Sequence, residues 1–403
     1  MGRQKKHRVN PARVAAARVL LGVEEGAHSD DLLEQLAPVG RDRTLTWHLV
    51  LGVLRRQGRI DAALAPHVKR GLGRLDPGVR AVLRLGTFEL HHSRTLDHAA
   101  VHQAVELARV LRMGRASGLV NAVLRKVSRS EVPSDPYLDL PDWLKKRFAD
   151  WPEWVGRLGT PSPVCGVWRD ADAPVDAVDG GPAQAAGAVV DGTFVVAPGE
   201  GSIADRPGFA EGAWWVMDPA SVAVADLLHE AVPAHSALLD ACAAPGGKAL
   251  RLATHQHPVL ATDLESTRLA RVDEAAQRVG VAVSTRVHDW LTGSIPDVKQ
   301  FDGVLVDAPC SALGIIRRHP EVRWRRLPSD PAAMAIRQRQ ILRNAAKHVA
   351  PGGALVYSVC SPLPEEGAAV ATGLDGFTLE RSWSTAPPVG DEDGFQAFVL
   401  RRA

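Results

Sequence analysis

The stretch LLDACAAPGGKALRL, from Leu238 to Leu252, decides the fold of the larger part of the chain. An apolar run ends in Asp240, small residues follow, and the pair Gly246 and Gly247 precedes a segment that restarts as a helix. Glycine lets the backbone come close to a ligand and adopt positive φ, and a helix start presents unpaired N–H groups. The stretch therefore predicts a strand, a tight turn and a helix, with a ligand-binding corner at the carboxyl end of the strand.

A glycine-rich turn alone is a weak signal, but two stretches downstream reinforce it: VDAPCSALG at Val306–Gly314 and YSVCSP at Tyr357–Pro362. From about Trp214 onward, apolar strands alternate with helices, which predicts a parallel sheet covered on both faces. The predicted strands are 237–240, 259–263, 281–287, 303–307 and 354–358, with 377–380 and 396–400 as candidates for the last two. Polar residues lie at or near these strand ends: Asp240, Asp263, Asp289, Asp307 and Ser358. We expect them at one shared crevice, because parallel strands end at the same edge.

The helices predicted between these strands span 221–228, 248–254 and 265–279, the last closed by Gly280. A longer helix is predicted up to Val349, with Asp330 as its N-cap and Pro331 in its first turn. Strands alternating with helices in this way indicate an α/β, Rossmann-like domain in the second half of the chain.

The bulk composition suits a globular protein of two or three domains, with 403 residues of which 45% are hydrophobic. Apolar runs stay short of the roughly 20 residues of a membrane span. The basic start MGRQKKHRVN lacks the apolar core of a secretory signal, so a cytoplasmic location and no membrane partner are expected. The 4 cysteines form no CxxC pair, which argues against a disulfide framework and a zinc site and leaves reduced thiols.

Charge is distributed unevenly along the chain, although the total is only +2. Residues 1–130 hold 23 Lys and Arg against 11 Asp and Glu, a net of +12, which leaves −10 for the rest. A basic module joined to an acidic one suggests that the first module meets a polyanion such as RNA. A solvated helical surface that happens to be basic explains the charge equally well.

Apolar residues recur at helical spacing throughout 11–130, which predicts an all-α bundle. His91, His92, His98 and His102 cluster in it, but no carboxylate or thiol joins them in a ligand pattern. We therefore interpret them as structural or surface histidines, and expect no metal.

Composition shifts between 131 and 215. Pro141–Trp154 is predicted to form an amphipathic linker helix with Trp anchors, and short strands are predicted at 188–190 and 193–197. The predicted domains are therefore a helical bundle over 1–130, a linker helix with a small α+β subdomain over 131–215, and the α/β domain over 216–403.

Two thiols follow neighbouring predicted strands, Cys310 after the fourth and Cys360 after the fifth. A thiolate that adds to C6 of a pyrimidine makes C5 able to take an electrophilic methyl group. Free cysteine is more commonly a small buried hydrophobe, and we assign the thiols of Cys165 and Cys242 to that class. Proline-flanked turns at strand ends favour chemistry for Cys310 and Cys360, but these residues alone do not decide which thiol attacks.

Asp263 ends the second strand about 20 residues beyond the glycine turn, where a carboxylate can bind ribose hydroxyls. The turn lacks GxGxxG, so a nucleoside ligand smaller than a nicotinamide dinucleotide is expected. The alternative for Asp263 is a helix N-cap, and both roles can hold at once.

Together, DACAAPGGKA, DAPCSALG and SVCSP resemble the RNA (cytosine-5) methyltransferases that use S-adenosyl-L-methionine. GIIRRHPEVRW at Gly314–Trp324 is similar to the segment after the first Cys motif in the bacterial small-subunit rRNA enzymes of this family, the Sun/Fmu/RsmB type. VNAVLRKVSR at Val120–Arg129 and DHAAVHQAVELA at Asp97–Ala108 resemble their NusB-like RNA-binding domain. The likeness covers nearly the whole chain and is weakest over 160–215.

The resemblance implies a role for each matching residue. Cys360 would be the nucleophile, and Cys310 would assist product release. Asp307 would contact the target base near the methyl donor and belong to the cofactor site as well, and Lys248 would contact cofactor or base. Asp263 would take the ribose hydroxyls of S-adenosyl-L-methionine, and Asp289 would lie on its adenine side. The loop around its methionine and ribose would consist of Cys242, Ala243, Ala244, Pro245, Gly246, Gly247 and Lys248. The implied partner is small-subunit (16S) rRNA, either naked or as an early assembly intermediate.

Several positions depart from the family pattern. Lys248–Ala249 replaces the usual Lys-Thr, Val359 replaces the Thr before the second Cys, and Met217 replaces the Gln before Asp218. Of the expected Arg-Val-Asn segment that contacts RNA, only Arg169 matches. Two alternatives remain: a non-catalytic RNA-binding factor of ribosome assembly or antitermination, and a methyltransferase of the same chemistry that acts on tRNA or DNA. The intact Cys310, Cys360 and Lys248 argue against the first.

Overall fold

The computed structural model describes residues 9–93, 95–171, 174–199 and 202–403. The basic stretch 1–8 and two residues of the segment around Arg169, 172 and 173, lie outside the described residues. The chain divides into two compact units. The first runs to Pro161 and also contains Ile316–Arg325, and the second comprises Ser162–Ile315 and Arg326–Ala403. The functional boundaries at 130 and 215 stay predictions, since compact units group residues by contact alone.

The first unit is helical, as its apolar spacing predicts. Its core is formed by buried side chains of the predicted stripes, among them Val53, Val82, Phe88 and Leu124. Its helices are α1 (Pro11–Glu24), α2 (Ser29–Leu36), α3 (Arg41–Arg55), α4 (Gln57–Leu64), α5 (Pro77–His92), α6 (Asp97–Val110), α7 (Ser117–Val127), α8 (Asp142–Arg147) and α9 (Pro152–Arg157).

The helix predicted over Pro141–Trp154 is wrong, because this segment forms two short helices, α8 and α9. Trp151 between them has φ −122° and ψ 53°, outside the helical region. The cause is local: the ring of Pro152 disfavours helical backbone at the residue before it. Proline instead begins the second helix, where its missing N–H costs nothing.

The segment Ile316–Arg325 is tied into the first unit by buried polar contacts. Arg323 is fully buried, and its guanidinium donates to the carbonyls of Asp139, Leu158 and Ile316, each at 3.3 Å. Arg55 donates to the carbonyl of Arg317 at 2.9 and 3.1 Å. Carbonyl groups left unpaired in a core are costly, so these arginines satisfy backbone that regular structure does not.

The second unit begins with a small antiparallel sheet in the order β2-β3-β1-β4. The two short strands predicted at 188–190 and 193–197 form one continuous strand, β3. Trp168 stacks on Phe194 with 3.9 Å between the ring centroids, which packs one face of the sheet. Its strands are β1 (Cys165–Trp168), β2 (Asp179–Ala185), β3 (Ala188–Val196) and β4 (Trp214–Val216).

The larger sheet has the order β10-β11-β9-β8-β5-β6-β7. Its strands are β5 (Leu238–Ala241), β6 (Val259–Asp263), β7 (Val283–Val287), β8 (Phe301–Asp307), β9 (Val349–Val359), β10 (Phe377–Ser384) and β11 (Gln396–Arg402). Pairing is parallel from β7 through β9, but β11 runs antiparallel to β9 and β10 antiparallel to β11. The predicted parallel pairing is therefore confirmed for β5 to β9 and does not extend to β10 and β11. No crossover helix separates β10 from β11, and strands joined without a crossover pair antiparallel.

The longer helices of the second unit are α10 (Pro219–Ala231), α11 (Gly247–Thr254), α12 (Ser266–Val279) and α13 (Asp330–Ala346). Gly280 ends α12 in the left-handed region, as predicted. The N-cap of α13 is Ser329, not Asp330, whose side chain instead accepts from the N–H of Leu327 at 3.1 Å. In the described part of the chain, none of the helices is long and apolar enough to cross a membrane.

Replacing Arg323 by alanine is expected to destabilise the first unit by roughly 3–5 kcal/mol, because the change creates a cavity and strips donors from buried carbonyls. Burial already lowers the pKa of this guanidinium to about 10. The measurement is the free energy of unfolding in urea. Arg70→Ala, at an exposed arginine of the same unit, should change it by less than about 0.5 kcal/mol. Equal stability of Arg323→Ala and wild type would contradict this account.

Candidate active site

Two thiols meet at the carboxyl edge of the larger sheet. Cys310 follows β8 and Cys360 follows β9, and these strands pair in parallel with Asp307 opposite Ser358. The two Sγ atoms lie 3.1 Å apart, with Cys310 only 8% exposed and Cys360 half-buried. The structure thus brings together the cysteines that the sequence placed on neighbouring strand ends.

Backbone hydrogen bonds hold the two thiol-bearing loops against each other. The N–H of Gly314 donates to the carbonyl of Cys360 at 3.0 Å, and the N–H of Gly394 donates to the carbonyl of Gly314 at 2.9 Å. A Cβ at position 314 would lie 1.9 Å from the carbonyl oxygen of Gly394. Only glycine lets these three backbone segments approach so closely.

An ion pair lies beside the thiols, between Lys248 and Asp307. Lys248 Nζ is 2.6 Å from Asp307 Oδ2, and the hydroxyl of Ser358 donates to Oδ1 at 2.7 Å. Lys248 Nζ also lies 5.2 Å from the ring centroid of Phe395, within cation–π range. Burial opposes the charge of Lys248, but the adjacent Asp307 carboxylate outweighs it and raises the pKa of the lysine. The lysine is therefore held in its charged form, and the contacts orient both side chains.

The surroundings of Cys360 keep its thiol protonated at neutral pH. The hydrogen bond with Cys310, burial and the charge of Asp307 raise the pKa of Cys360 well above its usual range, and Lys248 only partly opposes them. A thiolate is the reactive form. The site as described therefore holds Cys360 as a protonated thiol.

The glycine corner forms between β5 and α11, as predicted. Cys242 has φ +63° and Gly246 has φ +108°, so the chain turns sharply twice before the helix begins. The N–H of Gly246 donates to the carbonyl of Ala243 at 2.8 Å, and the N–H of Ala243 donates to the carbonyl of Thr262 at 2.8 Å. Burial raises the pKa of the Cys242 thiol, which fits its assignment as an unreactive cysteine.

Asp263 closes the corner from β6. Its Oδ2 accepts from the N–H of Ala244 at 3.2 Å, and its Oδ1 accepts from Arg268 at 3.0 Å. The N-cap interpretation of Asp263 is wrong, because α12 begins after Glu265 without a side-chain cap. Its carboxylate is used across the corner instead, so Ala244, Pro245 and Gly246 are held against the end of β6.

Asp289 lies in the turn after β7. The N–H of His288 donates to the carbonyl of Asp263 at 2.9 Å, which sets this turn beside the end of β6. Asp289 Oδ1 accepts from the N–H of Leu291 at 2.9 Å, and the side chain is half-buried. The structure therefore places Asp289 at the same edge of the sheet as the glycine corner.

Asp240 is a further candidate ligand-binding residue, to which the sequence assigns no role beyond the end of a strand. It is fully buried, and neither carboxylate oxygen has a hydrogen-bond partner among the described residues. Burial raises its pKa to about 8, and the charges of Asp307 and Asp263 act in the same direction against Lys248. A carboxylate at the end of an otherwise apolar strand was the available signal. A buried group with unused acceptors awaits a donor or cation.

A groove of about 420 Å³ lies between α6 and α7 of the first unit. Arg125 and Arg129 line it and are exposed, as are His98 and His102. Arg125 Nε donates to Asn121 Oδ1 at 3.2 Å, which orients this guanidinium. Among the described residues, no group of three or more His, Cys, Asp or Glu side chains is arranged to hold a metal ion.

Comparisons with known proteins agree on both halves of the chain. The family model described as 16S rRNA methyltransferase RsmB/F matches residues 229–375, and the NusB family model matches residues 10–129.

Two curated relatives carry the name ribosomal RNA small subunit methyltransferase B. One, from Pseudomonas syringae pv. tomato, is 37% identical over 412 residues, which cover 96% of this chain and 90% of the relative. The other, from Thermus thermophilus, is 38% identical and covers 90% and 87%. The crystal structure of the protein PH0851 is similar over 99% of this chain and 100% of its own, with a TM-score of 0.78 and 22% identity. At that identity the structural likeness shows the fold alone.

The variant Asp240→Asn is expected to be more stable than wild type in the ligand-free protein, by a margin that grows with pH. The unfolded chain releases this proton near pH 3.8, whereas the folded protein keeps it up to about pH 8. The group's contribution to stability is therefore lost progressively over that interval. The difference in Tm between variant and wild type, measured between pH 5 and about 8.5, reports this stability difference. For a domain of about 150–250 residues, 1 kcal/mol corresponds to roughly 2–4 °C in Tm.

The control for this experiment is Asp375→Asn, at an exposed aspartate of the same unit. Its difference in Tm from wild type should not change with pH. A margin for Asp240→Asn that is also independent of pH would show that Asp240 titrates normally.

Proposed function

Because the chain belongs to the RsmB/F family of 16S rRNA methyltransferases, we propose that it transfers a methyl group from S-adenosyl-L-methionine to C5 of a cytosine in small-subunit rRNA. The observation that carries the proposal is the pair of sulfurs, Cys310 Sγ and Cys360 Sγ, 3.1 Å apart beside the charged pair Lys248 and Asp307. A binding protein without chemistry has no use for such a pair at a sheet edge.

The corner fits S-adenosyl-L-methionine on its own chemistry. The buried, unpartnered carboxylate of Asp240 suits the positively charged amino group of a methionine moiety. A Cβ at Gly246 would lie 3.0 Å from Val272 Cγ1, so the turn packs against Val272 on that side. A ligand would therefore bind on the side of the turn that faces away from Val272. We assign the loop 242–248 to the methionine and ribose, Asp263 to the ribose hydroxyls and Asp289 to the adenine side. When bound, the cofactor supplies an electrophilic methyl group.

The thiols supply the covalent step. The thiolate of Cys360 would add to C6 of cytosine, which shifts the C5–C6 π electrons to C5 and makes C5 nucleophilic. C5 would then take the methyl group that the bound cofactor supplies, and the cofactor would leave as the demethylated thioether. A base removes the C5 proton, the C5–C6 double bond re-forms, and the sulfur leaves. Cys360 is the proposed nucleophile because it is the more exposed of the two, in line with the family resemblance. Cys310 lies within reach to assist release, and Asp307 contacts the base.

The first unit is proposed to hold the RNA. Its charge of +12 over 1–130 and the exposed Arg125 and Arg129 suit a phosphate backbone. The target cytosine must leave its stack to reach a thiol at the sheet edge, which costs least for an unpaired base. Naked rRNA or an early assembly intermediate is therefore the proposed substrate.

The variant Cys360→Ala is expected to lose methyl transfer entirely, because the proposed nucleophile is removed. Its affinity for S-adenosyl-L-methionine should stay within about twofold of wild type, because the glycine corner is unchanged.

The variant Cys310→Ala should stall as a covalent protein–RNA adduct, because the thiol proposed to assist release is missing. Tritium transfer from labelled cofactor to 16S rRNA, and a denaturing gel, measure the two effects. Cys165→Ala, in β1 of the small sheet, is the matched thiol control and should stay active.

An active Cys360→Ala variant would refute the nucleophile assignment. Absence of an adduct in Cys310→Ala, with RNA and cofactor both shown to be bound, would refute the release role. If the wild type binds RNA without transferring tritium, the protein is an assembly factor. Transfer to tRNA but not to 16S rRNA would identify a tRNA enzyme.

The double variant Arg125→Ala, Arg129→Ala is expected to bind rRNA more weakly. The slope of log affinity against log salt concentration should become shallower by about one to two. Binding releases about one counterion for each phosphate contact, so each contact that is lost removes about one from that number. Filter binding across a salt series measures the slope. Arg381→Ala, at an exposed arginine of β10, is the control and should leave the slope unchanged. An unchanged slope in the double variant would remove this groove from the RNA interface.

A further inference from the structure

Glu366 is a buried carboxylate that the chemistry above does not use. It lies six residues beyond Cys360 in the chain and is 0% exposed. A buried charge of this kind is stabilised only by well-placed donors. Those donors come from the two loops that carry the thiols.

The loop after β8 binds Glu366 through Ser311, the residue next to Cys310. The backbone N–H of Ser311 donates to Oε1 of Glu366 at 2.7 Å, and its hydroxyl donates to Oε2. Ser311 is fully buried, so water does not compete for these contacts. The carboxylate thereby fixes the backbone position of the residue adjoining the first thiol.

The loop after β9 binds the same carboxylate through Ser361, the residue next to Cys360. The hydroxyl of Ser361 donates to Oε2 of Glu366 at 2.6 Å. The hydroxyls of Ser311 and Ser361 lie 3.3 Å apart, so one carboxylate oxygen joins the neighbours of both cysteines.

Glu366 is itself held in place from two further sides. Gln338 on α13 donates to Oε1 at 3.2 Å and to the carbonyl of Pro309 at 3.1 Å. The hydroxyl of Tyr357, fully buried in β9, donates to the backbone carbonyl of Glu366 at 2.6 Å. Glu366 is therefore anchored to the sheet through its backbone and to a helix through its carboxylate, in addition to its bonds with the two loops.

We propose that Glu366 is a positioning residue that sets the distance between Cys310 Sγ and Cys360 Sγ by binding Ser311 and Ser361 together. An ionised carboxylate only accepts hydrogen bonds, and each of these partners donates. The amide of glutamine has the same shape but carries an NH2 group at one end, so it cannot accept at both oxygen positions. With its oxygen toward the two serine hydroxyls, its NH2 group opposes the backbone N–H of Ser311 and the side-chain N–H of Gln338. The catalytic part of this inference rests on the proposed function, whereas the geometric part does not.

The geometric test uses the thiols themselves and needs neither RNA nor cofactor. Diamide accepts the two electrons and two protons that Cys310 and Cys360 lose when they form a disulfide, and peptide mass spectrometry measures the rate of that bond. The wild type should form it quickly, because its sulfurs are already in contact. In Glu366→Gln the rate should fall roughly 10-fold or more, because effective concentration depends steeply on positioning. Ser361→Ala, a smaller change, should give an intermediate rate.

The catalytic test compares kcat with KM. In Glu366→Gln, kcat for methyl transfer should fall roughly 10- to 100-fold, with KM for rRNA and the affinity for S-adenosyl-L-methionine unchanged. Glu365→Gln, at the neighbouring half-buried glutamate, is the matched control and should keep both wild-type rates. A loss that appears equally in KM and cofactor affinity would indicate general damage to the fold and would overturn the proposal.

The two tests separate the two hypotheses. If Glu366→Gln and Ser361→Ala both form the disulfide at the wild-type rate, Glu366 does not position the thiols, whatever the enzyme does. If the disulfide slows as expected but the wild type transfers no methyl group, the proposed function fails and the positioning role stands.

Discussion

The parallel pairing of β8 with β9 is the constraint on which the rest of the site depends. It sets Asp307 opposite Ser358. Cys310 follows Asp307 by three residues, and Cys360 follows Ser358 by two. Two thiols that are 50 residues apart in sequence thereby meet at 3.1 Å. A shift of one residue in this register would turn each side chain to the other face of the sheet, so the core that fixes the register also fixes the chemistry.

The acidic groups of the site are only partly matched by cations, and one buried carboxyl group has no hydrogen-bond partner among the described residues. Asp240, Asp263 and Asp307 converge on one edge with Lys248 and Arg268 as the cations that contact two of them. The third carboxylate, Asp240, is unpaired among the described residues, and its pKa is raised to about 8. The hydrogen bond with Cys310 and burial raise the pKa of the Cys360 thiol, and the charge of Asp307 adds to them. A cation bound at this edge would lower the cost of ionising Asp240, because burial and the neighbouring carboxylates are what raise its pKa.

The sequence predicted the strand ends well because glycine turns and apolar strands are local signals. It placed β6 at 259–263 without error and brought Cys310 and Cys360 to one edge. It failed where the answer depends on distant partners. The orientation of β10 and β11, the use of Asp263 across the corner, and the selection of Glu366 over the adjacent Glu365 are settled by packing. The spacing of residues in one sequence does not show which of two adjacent glutamates, Glu365 or Glu366, is buried.

The assignment of Ile316–Arg325 to the helical unit has a consequence for biosynthesis. Arg55 and Ser29 are made early, yet their buried partners, the Arg317 carbonyl and the Glu321 carboxylate, follow only after the chain from Ser162 to Ile315. The partners are 262 and 292 residues apart in the chain, so at translation rates of about 5–20 residues per second the delay is on the order of 15–60 s. The N-terminal helices therefore lack these buried contacts until most of the second unit has been synthesised.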